Sequence, residues 1–583
     1  MATNDCRVVL GYATVNDGGY GLFRYNCFST AADDGGTIIA PNSGGGRWER
    51  IYSGAVDVRW FGAKGDNTTD DTFGLQSAID AAEGKKVYIP LPTSKYRITV
   101  ALTVPPRTHI IIHPQAVIRQ DTNWTPVFDL LDTPDVTIEG GHLRYEGDRT
   151  YSPPDSFRGS GLGGYRAGVW TNSSRTVVRN LHVYGFDAGV SIAGWNTSIN
   201  DHASYYVQDV VVENLSIDAV TWGVLAYGFD SLRIKNLRGR YINAPTGLYS
   251  TGGSHLVYIS SGAGTTQNIL NRGLDLDSAW AYNSSDGYAF QFKNVRGGTI
   301  GRLNAYNCPG VFTTRGCEDL SVAEIVSKRD LGQAANGSIL VQDAATQGLK
   351  IGSANIDMSA AAMAFKIFGT ECHVDSMRVS ANRATTTGDL DGVLGGTRNT
   401  INELTYNNKG RGGATAVWMQ DTDATVRNPD ISGAQICIRL GPNAVRPVVE
   451  YDPGRLSVNS LDPSTPPIYH DNPTTPRIRQ HFLRSSFSTT GGSAITLYPS
   501  LVTHAAVSVN STLAFTISNP IVPIAGMELT YEMFHNCDGT MGVITWGTDF
   551  ELNGAFCNPA TGARKSITFR YDGAKWREVS RSA

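Results

Sequence analysis

The sequence of 583 residues lacks any hydrophobic run long enough to cross a membrane, since no segment approaches the ~18 consecutive apolar residues of a spanning helix. Its first residues, MATNDCRVV, lack the basic and apolar regions of a secretory signal peptide. We therefore expect neither membrane insertion nor Sec export.

Charged residues are also scarce in this chain. Asp, Glu, Lys and Arg make up 17% of it, and the formal net charge is −4. A nucleic-acid-binding protein needs clustered Lys and Arg on one face, so this class of partner is not expected. The 8 cysteines include no CxxC pair, which argues against zinc and predicts small buried core residues. No cofactor is indicated.

Glycine, in contrast, is abundant, with 64 residues, and it punctuates a repeat. From Gly168 to about Gly441 the chain repeats units of two short alternating strands separated by a Gly, Asn, Asp or Ser turn. A repeat of about 20–50 residues made of strands and turns is typical of a β-solenoid. One unit cannot bury its apolar side alone, whereas a stack forms one continuous core. The sequence therefore predicts an all-β protein whose main body, residues 56–440, is a parallel β-helix.

The stretch before the repeat predicts two further elements. Residues 1–55 alternate short β runs with Gly-rich turns, which indicates a small β module. After it, Asp70 or Asp71 can cap a short helix that would cover the open first coil of the solenoid. The apolar side of this amphipathic helix is predicted to consist of Phe73, Leu75, Ile79 and Ala82.

The stretch after the repeat also divides in two. Residues 441–485 are rich in Pro, Asn and Asp, which predicts an extended linker. Residues 486–583 contain short strands at near-regular spacing, which predicts a β-sandwich. We expect this module to act in capping and trimerisation, or in carbohydrate binding.

Motifs on both flanks resemble a known family. The stretch WFGAKGD, followed by DDT and an AIDAA helix, resembles the opening of pectate-lyase-like right-handed parallel β-helices. The preceding GYATVNDGGYGLFRY and GGGRWERI resemble the neck of bacteriophage tailspikes, and MELTYEMFHNCDGTMGVITWG resembles the sandwich that closes many such chains. This resemblance to a tailspike or capsular polysaccharide depolymerase implies a homotrimer in the phage tail. The implied partners are a bacterial capsular or surface polysaccharide and the phage tail or another tail-fibre protein.

Carboxylates on the solenoid are candidates for catalysis. Equivalent residues of successive coils stack ~4.8 Å apart. Aligning the second strands by eye puts Asp218, Arg240 and Asp277 in one outward column. Inverting glycoside hydrolysis needs two carboxyl groups about 6.5–9.5 Å apart. Asp218 and Asp277 would be roughly 9.6 Å apart, and Asp275 and Asp277 about 6.6 Å. The alternative is a structural charge ladder along the sheet. Such a ladder would still be compatible with catalysis if Arg240 sets which carboxylate is ionised.

Insertions and polar residues predict a binding groove over residues 185–330. Long loops on a rigid scaffold commonly form binding sites, and several units here carry long additions. Aromatic and polar side chains suit sugar rings and hydroxyls by stacking and hydrogen bonding. The substrate-binding candidates are Trp195, Tyr227, Arg240, His255, Tyr258, Gln291, Lys293 and Arg315.

Two other functions remain open at this stage. A lyase needs a base that removes a proton beside a uronate carboxylate, and a cation that neutralises this carboxylate. The candidates are His255, Tyr258, Lys293 and Arg315, although a histidine at a turn is more often structural. The sequence favours inverting hydrolysis over β-elimination, with a non-catalytic glycan-binding adhesin as the third interpretation. No cluster of aspartates compels a metal site.

Overall fold

The computed structural model describes most of residues 5–582. The ranges outside this description are 149–165, 195–205, 243–253, 262–268, 285–286, 329–337, 359–362, 383–388, 410–413, 421, 443, 451–454, 459–467, 471–483, 490–493, 498, 500–502, 511, 522 and 524. The chain divides into two compact units, residues 1–326 and 327–583. Across the described residues, no helix is long and apolar enough to span a bilayer.

The first unit begins with one small antiparallel sheet. Its strands are β1 (Cys6–Val9), β2 (Gly21–Asn26), β3 (Ile38–Ile39) and β4 (Arg47–Ile51), in the spatial order β1-β2-β4-β3. Alternation along β2 buries Phe23 and Tyr25 on one side of the sheet and exposes Leu22 and Arg24 on the other. The predicted N-terminal β module is therefore present as a four-stranded sheet.

A short helix follows this sheet, as predicted. Strand β5 (Val56–Asp57) leads into a 3-10 helix (Val58–Phe61) and then into α1 (Thr72–Ala81). Leu75 and Ile79, one turn apart, are buried with Ala78 on one side of α1. Phe73, predicted on this side, is 76% exposed, because its position two residues before Leu75 points it away from the coil.

Asp71 stands at the N-terminus of α1 but does not cap it with its side chain. Its carboxylate instead accepts hydrogen bonds from the backbone N–H groups of Lys64 and Gly65, at 2.6 and 3.1 Å. Burial raises the pKa of Asp71 despite these bonds. The capping contact comes from Asp70, which accepts from the backbone and hydroxyl of Thr72.

The rest of the first unit winds into coils of parallel strands, which confirms the predicted β-helix. These strands are β6 (Lys86–Ile89), β7 (Tyr96–Ile98), β8 (Leu102–Thr103), β9 (His109–Ile112), β10 (Val117–Gln120), β11 (Phe128–Leu130), β12 (Thr137–Glu139), β13 (His142–Tyr145), β14 (Ala167–Thr171), β15 (Val177–Arg179), β16 (His182–Tyr184), β17 (Ala188–Ala193), β18 (Val207–Asp218), β19 (Trp222–Tyr227), β20 (Phe229–Arg240), β21 (His255–Ile259), β22 (Asn271–Tyr282), β23 (Tyr288–Lys293), β24 (Val295–Tyr306), β25 (Gly310–Arg315) and β26 (Glu318–Lys328). Each coil has three strand positions, because β18 pairs with both β15 and β16 whereas β17 pairs with β19.

An asparagine ladder marks the bend between the first and second strand positions. Asn180, Asn214 and Asn236 all have left-handed backbone angles, with φ of 58°, 55° and 47°. The side-chain amide of Asn214 donates to Asn180 at 3.1 Å, and that of Asn236 donates to Asn214 at 2.9 Å. Asparagine tolerates this backbone region better than most residues, so the ladder bends each coil at the same place.

Glycine recurs in the third strand position for a steric reason. A Cβ built on Gly189 would lie 2.6 Å from the backbone oxygen of Gly223, and one built on Gly223 would lie 2.4 Å from that of Leu256. Real Cβ atoms do not approach a backbone oxygen so closely, so only glycine fits against the next coil. These glycines are the unit starts of the sequence repeat.

The second unit contains further short parallel strands. They are β27 (Ile339–Val341), β28 (Lys350–Met358), β29 (Phe365–Ile367), β30 (His373–Ala381), β31 (Asp389–Leu390), β32 (Gly392–Leu394), β33 (Thr400–Asn408), β34 (Ala414–Met419), β35 (Thr425–Arg427), β36 (Pro429–Ala434), β37 (Ile436–Leu440), β38 (Val448–Glu450), β39 (Leu456–Val458) and β40 (Ile468–His470). The stretch 441–485, predicted to be a linker, contains β38, β39 and β40, which pair in parallel with β35, β36 and β37. The parallel coils of the second unit therefore extend to His470.

The C-terminal strands form two sheets around one core. They are β41 (Arg484–Thr489), β42 (Ala494–Ile495), β43 (His504–Val509), β44 (Phe515–Ile517), β45 (Glu528–His535), β46 (Ile544–Trp546), β47 (Phe550–Glu551), β48 (Arg564–Tyr571) and β49 (Trp576–Arg581). Tyr531 and Trp576 are fully buried in this core. Two facing sheets are what a sandwich requires, but β41, β43 and β45 pair in parallel, as do β42, β44 and β46. The chain therefore winds between the two sheets until β48 and β49 close the module with antiparallel pairs.

Candidate functional site

Three outward faces of the first unit carry the candidate residues. The first face consists of outward side chains before the asparagine bend, such as Arg233 and Asp275, which are paired in register. The second face follows this bend and includes Arg240. The third face belongs to the third strand position and includes Tyr258, which is level with Gln291 on the next coil. The predicted groove residues are thus distributed over three faces rather than one.

Asp218 lies on the second face in contact with Arg240. Nε and Nη2 of Arg240 donate to the carboxylate at 3.3 and 3.1 Å, and Nε2 of His182 donates at 3.2 Å. Burial of Asp218, which is 8% exposed, opposes its ionisation, but the bonds from His182 and Arg240 outweigh it and lower its pKa. Asp218 is therefore an ionised carboxylate held by a cation, which suits a base better than an acid.

The row of contacts from Arg240 through Asp218 to His182 extends to a second histidine, His142. Nδ1 of His182 lies 3.0 Å from Nδ1 of His142 on the preceding coil. Burial and the neighbouring ring of His182 both lower the pKa of His142. Although imidazoles and a carboxylate meet here, no group of His, Cys, Asp or Glu within the described ranges is arranged to hold a metal ion.

Asp277 does not lie in this column, which corrects the alignment made from the sequence. Register pairs Arg240 with Tyr282, and Tyr282 with Tyr306. Leu276 pairs with Ile234, so Asp277 lies before the bend, on the first face. Asp218 and Asp277 are therefore not neighbours in one outward column, and the predicted spacing between them is wrong.

Asp275 and Asp277 do share one face. Asp275 accepts from Nε of Arg233 at 3.0 Å, and Asp277 is exposed and accepts from the hydroxyl of Ser278 at 3.1 Å. Their alternation with buried Leu276 places both carboxylates on the outward side, about 6.6 Å apart at 3.3 Å per residue. This pair keeps the spacing that inverting hydrolysis requires.

The third face brings four of the predicted binding residues together. Tyr258 is level with Gln291, and Lys293 is level with Arg315 on the next coil. Nζ of Lys293 donates to the hydroxyl of Tyr258 at 2.9 Å and lies 5.0 Å from the centre of its ring. An ammonium, a phenol, an amide and a guanidinium therefore line one surface within three coils.

His255 lies at the start of β21 beside this cluster and is 2% exposed. Its Nδ1 donates to the backbone carbonyl of Tyr288, so Nε2 is the unprotonated nitrogen of the neutral ring. The ring centres of His255 and Tyr258 are 4.9 Å apart, and those of Trp222 and Tyr258 are 6.3 Å apart. The histidine predicted at a turn is thus part of the aromatic surface.

The predictions for two other residues, Tyr227 and Trp195, have different outcomes. Register pairs Leu225 with Tyr258, so Tyr227 lies two residues further along, level with Lys293 rather than in the column of Tyr258. Tyr227 still faces the same surface and is 3% exposed. Trp195 lies outside the described residues, as do most of the predicted loop insertions.

Asp129 and Trp170 are third-face residues that the sequence analysis missed. They are paired in register on β11 and β14, in the column that leads to Tyr258. Burial raises the pKa of Asp129 to about 6, and its Oδ1 accepts no hydrogen bond from any described residue. Alternation in the run VFDLL, with Phe128 and Leu130 buried, was the available signal that Asp129 faces outward.

A family model for the phage tail protein small four-stranded beta-sheet domain matches residues 2–53. This range contains β1–β4, whose order and number agree with a four-stranded sheet. Over 72 residues, the chain is 35% identical to the Mu-like prophage FluMu defective tail fiber protein of Haemophilus influenzae. This match covers 12% of the chain and 11% of that relative, so it spans only a small part of the curated protein.

Several solved tailspikes are similar to this chain, at low sequence identity and low TM-score. The Acinetobacter phage vb_AbaP_AS12 gp42 tailspike is 10% identical, with a TM-score of 0.44, and the alignment covers 100% of this chain and 91% of that one. Tailspike gp49 of Acinetobacter baumannii bacteriophage Fri1, a capsular polysaccharide depolymerase, is 11% identical with a TM-score of 0.38 over 82% and 74% of the two chains. The Acinetobacter baumannii phage AM24 tailspike is 14% identical with a TM-score of 0.37, and the alignment covers 80% of this chain and 64% of that one.

The N-terminal match and the β-helix together confirm the two main parts of the resemblance seen in the sequence. Residues 2–53 carry the small β-sheet domain of phage tail proteins, and the strands from β5 to β40 form a parallel β-helix. The chain therefore contains a domain that matches the small β-sheet domain of phage tail proteins, and a parallel β-helix.

Proposed function

We propose that this tail protein binds a bacterial capsular or surface polysaccharide on its β-helix and degrades it at the host surface. The supporting observation is the third face, where Trp222, Tyr258, Gln291 and Lys293 from consecutive coils lie side by side. Aromatic rings stack on sugar rings, and amide and ammonium groups bind sugar hydroxyls and carboxylates. As in the sequence prediction, the protein would act as a homotrimer joined to the phage tail or another tail-fibre protein.

The contact between Lys293 and Tyr258 favours β-elimination as the chemistry of this face. Lys293 and Arg315 would bind and neutralise a uronate carboxylate, while Tyr258 or His255 would remove the proton on the adjacent carbon. The bond to the glycosidic oxygen then breaks, which leaves a carbon–carbon double bond on one product. The oxygen takes up a proton and becomes a hydroxyl on the other. All these groups lie within three coils of one surface.

Inverting hydrolysis is the second candidate, and the Asp275/Asp277 pair supports it. Arg233 pairs with Asp275, which suits the ionised carboxylate that activates water, and Asp277 would then be the acid. Asp218 is less suited to the acid role, because its pKa is lowered and Arg240 contacts it. Both candidate carboxylates are on the first face and away from the aromatic surface, so β-elimination agrees better with the geometry.

Incubation with a panel of purified bacterial capsules tests this proposal. We expect at least one polymer to shorten in size-exclusion chromatography and to gain reducing ends. A rise in ultraviolet absorbance from the new double bond would support β-elimination, whereas reducing ends without this rise would mean hydrolysis. A capsule that is bound but keeps its length would overturn degradation and leave a non-catalytic adhesin.

A further inference from the structure

The second face carries a continuous row of aromatic and cationic side chains. Register places Arg238 level with Trp280, and Trp280 level with Asn304. Two residues further along each strand, Arg240 is level with Tyr282, and Tyr282 with Tyr306. We call these six residues on three successive coils the aromatic–arginine strip.

The guanidinium of Arg238 lies over the ring of Trp280 and is accessible to an anion. Its guanidinium carbon lies 5.3 Å from the centre of the Trp280 ring, and its side chain is exposed. In the described part of the chain, Arg238 forms no ion pair with a carboxylate. A guanidinium fixed over an aromatic ring presents its N–H groups in one plane, which matches a carboxylate or phosphate.

Arg240 is also accessible beside it. Its side chain is 58% exposed although it contacts Asp218, and this contact uses Nε and Nη2. Asp218 is the only carboxylate among the outward residues of the second strand position from β16 to β24. Two arginines against one aspartate leave this strip with a net positive charge.

The adjoining coils supply a stacking platform and an amide. The rings of Tyr282 and Tyr306 are 5.1 Å apart and nearly parallel, with an interplanar angle of 9°. Asn304 is 1% exposed, and its Nδ2 donates to no acceptor among the described residues. A buried amide N–H without an acceptor is costly, so a ligand oxygen bound at this point would stabilise it.

The strip is separate from the cluster of Tyr258 and Lys293. A second bend follows each second strand, where Tyr241, Asn283 and Asn307 have positive φ angles of 54°, 55° and 53°. This bend turns the chain from the second face to the third. The two sets of residues therefore face in different directions on the same coils.

We propose that the aromatic–arginine strip is a second binding surface, for an acidic polysaccharide, that holds the polymer outside the site of cleavage. This inference rests on the proposed function and adds a second place on the β-helix where the acidic polymer is bound. Stacked rings suit the sugar units, and Arg238 and Arg240 suit their acidic groups. A twofold contact with a second copy of the chain fits less well, because it would bring these arginines against their own counterparts.

Substitutions in the full chain test the strip. Arg238→Gln and Trp280→Ala are compared with Arg296→Gln, another exposed arginine on β24 that pairs with Glu318 outside the strip. Binding of each protein is measured on immobilised capsules from the panel, sorted into acidic and neutral polymers, at low and high salt. We expect retention of an acidic capsule that weakens with salt, and about tenfold weaker binding by both strip variants. The Arg296→Gln protein should bind like the wild type.

A second readout separates this inference from the proposed function. The rate on the shortest oligosaccharide that the wild type still cuts should be unchanged in the strip variants, while the rate on the full polymer should fall. Equal cleavage of the full polymer by all variants would contradict the proposed binding role of the strip. Binding of neutral capsules alone would also contradict it. A changed oligomeric state of Arg238→Gln by light scattering would also overturn it and assign this face to contacts between copies. Binding that depends on the strip residues, without any cleavage, would contradict the proposed degradation and support the strip as a binding surface.

Discussion

Nζ of Lys293 donates a hydrogen bond to the hydroxyl of Tyr258 on the preceding coil, at 2.9 Å. These residues are 35 positions apart in the sequence, and the parallel stacking of β21 and β23 brings them together. Within the described residues, Lys293 has no carboxylate partner, so its charge is available to a ligand. An ammonium beside a phenol is the kind of pair through which a proton can be moved at a uronate.

Replacing Lys293 by methionine should abolish most of the degradation. The substitution keeps a long side chain but removes the charge, so the uronate carboxylate would lose a cation in the transition state. We expect a fall in rate of about 10²–10⁴-fold on the polymer, as is usual for the loss of a proton-transfer or charge-stabilising group. Initial rates of chain shortening measure the effect.

The matched control is Lys350→Met, which removes an exposed lysine on β28 in the other unit. It should degrade the polymer at the wild-type rate. Thermal unfolding of both variants should begin at the wild-type temperature, because neither lysine is part of the core. A Lys293→Met protein that is folded and fully active would exclude the third face as the site of chemistry.

Asp277→Asn should leave the rate within about twofold of the wild type if β-elimination is correct, because the residue is exposed and on another face. Inverting hydrolysis with the Asp275/Asp277 pair would instead require a loss of about 10²–10⁴-fold. The same capsule and the same assay as for Lys293→Met allow a direct comparison. Loss of activity in Asp277→Asn together with full activity in Lys293→Met would reverse the order of the two chemistries.

The repeat and the inward-outward alternation could be predicted from the sequence, since both depend on local periodicity. The register at β22 could not. This strand offers Leu274 and Leu276 and then Ala279 and Ala281 as alternating inward pairs, so two alignments fit equally well by eye. Earlier coils have an asparagine at the bend, whereas β22 has Ser278 at this position, and the marker that separates the two alignments is lost.

Which candidates would meet at one site depends on the faces of the coil, and this information is not local. Tyr258, Lys293 and Arg315 lie in the same strand position of their units, so their proximity follows from the repeat itself. Asp218 and Asp277 were grouped wrongly, because the first and second strand positions run on without a break in β18 and β22. Pairing across coils resolves what the one-dimensional pattern leaves open.

Asp129→Asn should stabilise the protein at neutral pH. The pKa of Asp129 is raised from 3.8 to about 6 by burial, so the folded state holds a proton that the unfolded state has lost between these values. Stability therefore falls as pH rises from 3.8 to about 6 and then stays low. The asparagine removes this penalty, which is about 3 kcal/mol for a rise of about 2.2 pKa units.

Urea unfolding at several pH values measures this effect. The variant and the wild type should have similar midpoints near pH 4, where the carboxyl is protonated in the folded protein, and the variant should be more stable at pH 7. Asp275→Asn provides the comparison, because this carboxylate is ion-paired and about half exposed. An equal difference between Asp129→Asn and wild type at both pH values would show that burial does not control this group.

The stability difference between Asp218→Asn and the wild type should have the opposite pH dependence to that of Asp129→Asn. The folded-state pKa of Asp218 is lowered below 3.8, so its contribution to stability is present above this value and is lost as pH falls through the lower folded value. At pH 7 the asparagine leaves Arg240 and His182 without a charged acceptor, at a cost of about 1–3 kcal/mol. Unfolding midpoints should differ most at neutral pH and converge in acid. A difference that grows on acidification would contradict the assigned ion pair.

The asparagine ladder can be tested by two substitutions at one position. Asn214 has a φ of 55°, donates to Asn180 and accepts from Asn236. Asn214→Ala removes both hydrogen bonds and places a Cβ in the left-handed region without a compensating contact, so we expect a loss of about 2 kcal/mol. Asn214→Gly also removes the hydrogen bonds but adopts this φ freely, and it should lose about half as much. If alanine and glycine destabilise equally, the bend is set by the ladder bonds alone; if glycine is as stable as asparagine, the bonds contribute nothing and backbone conformation alone determines where each coil turns.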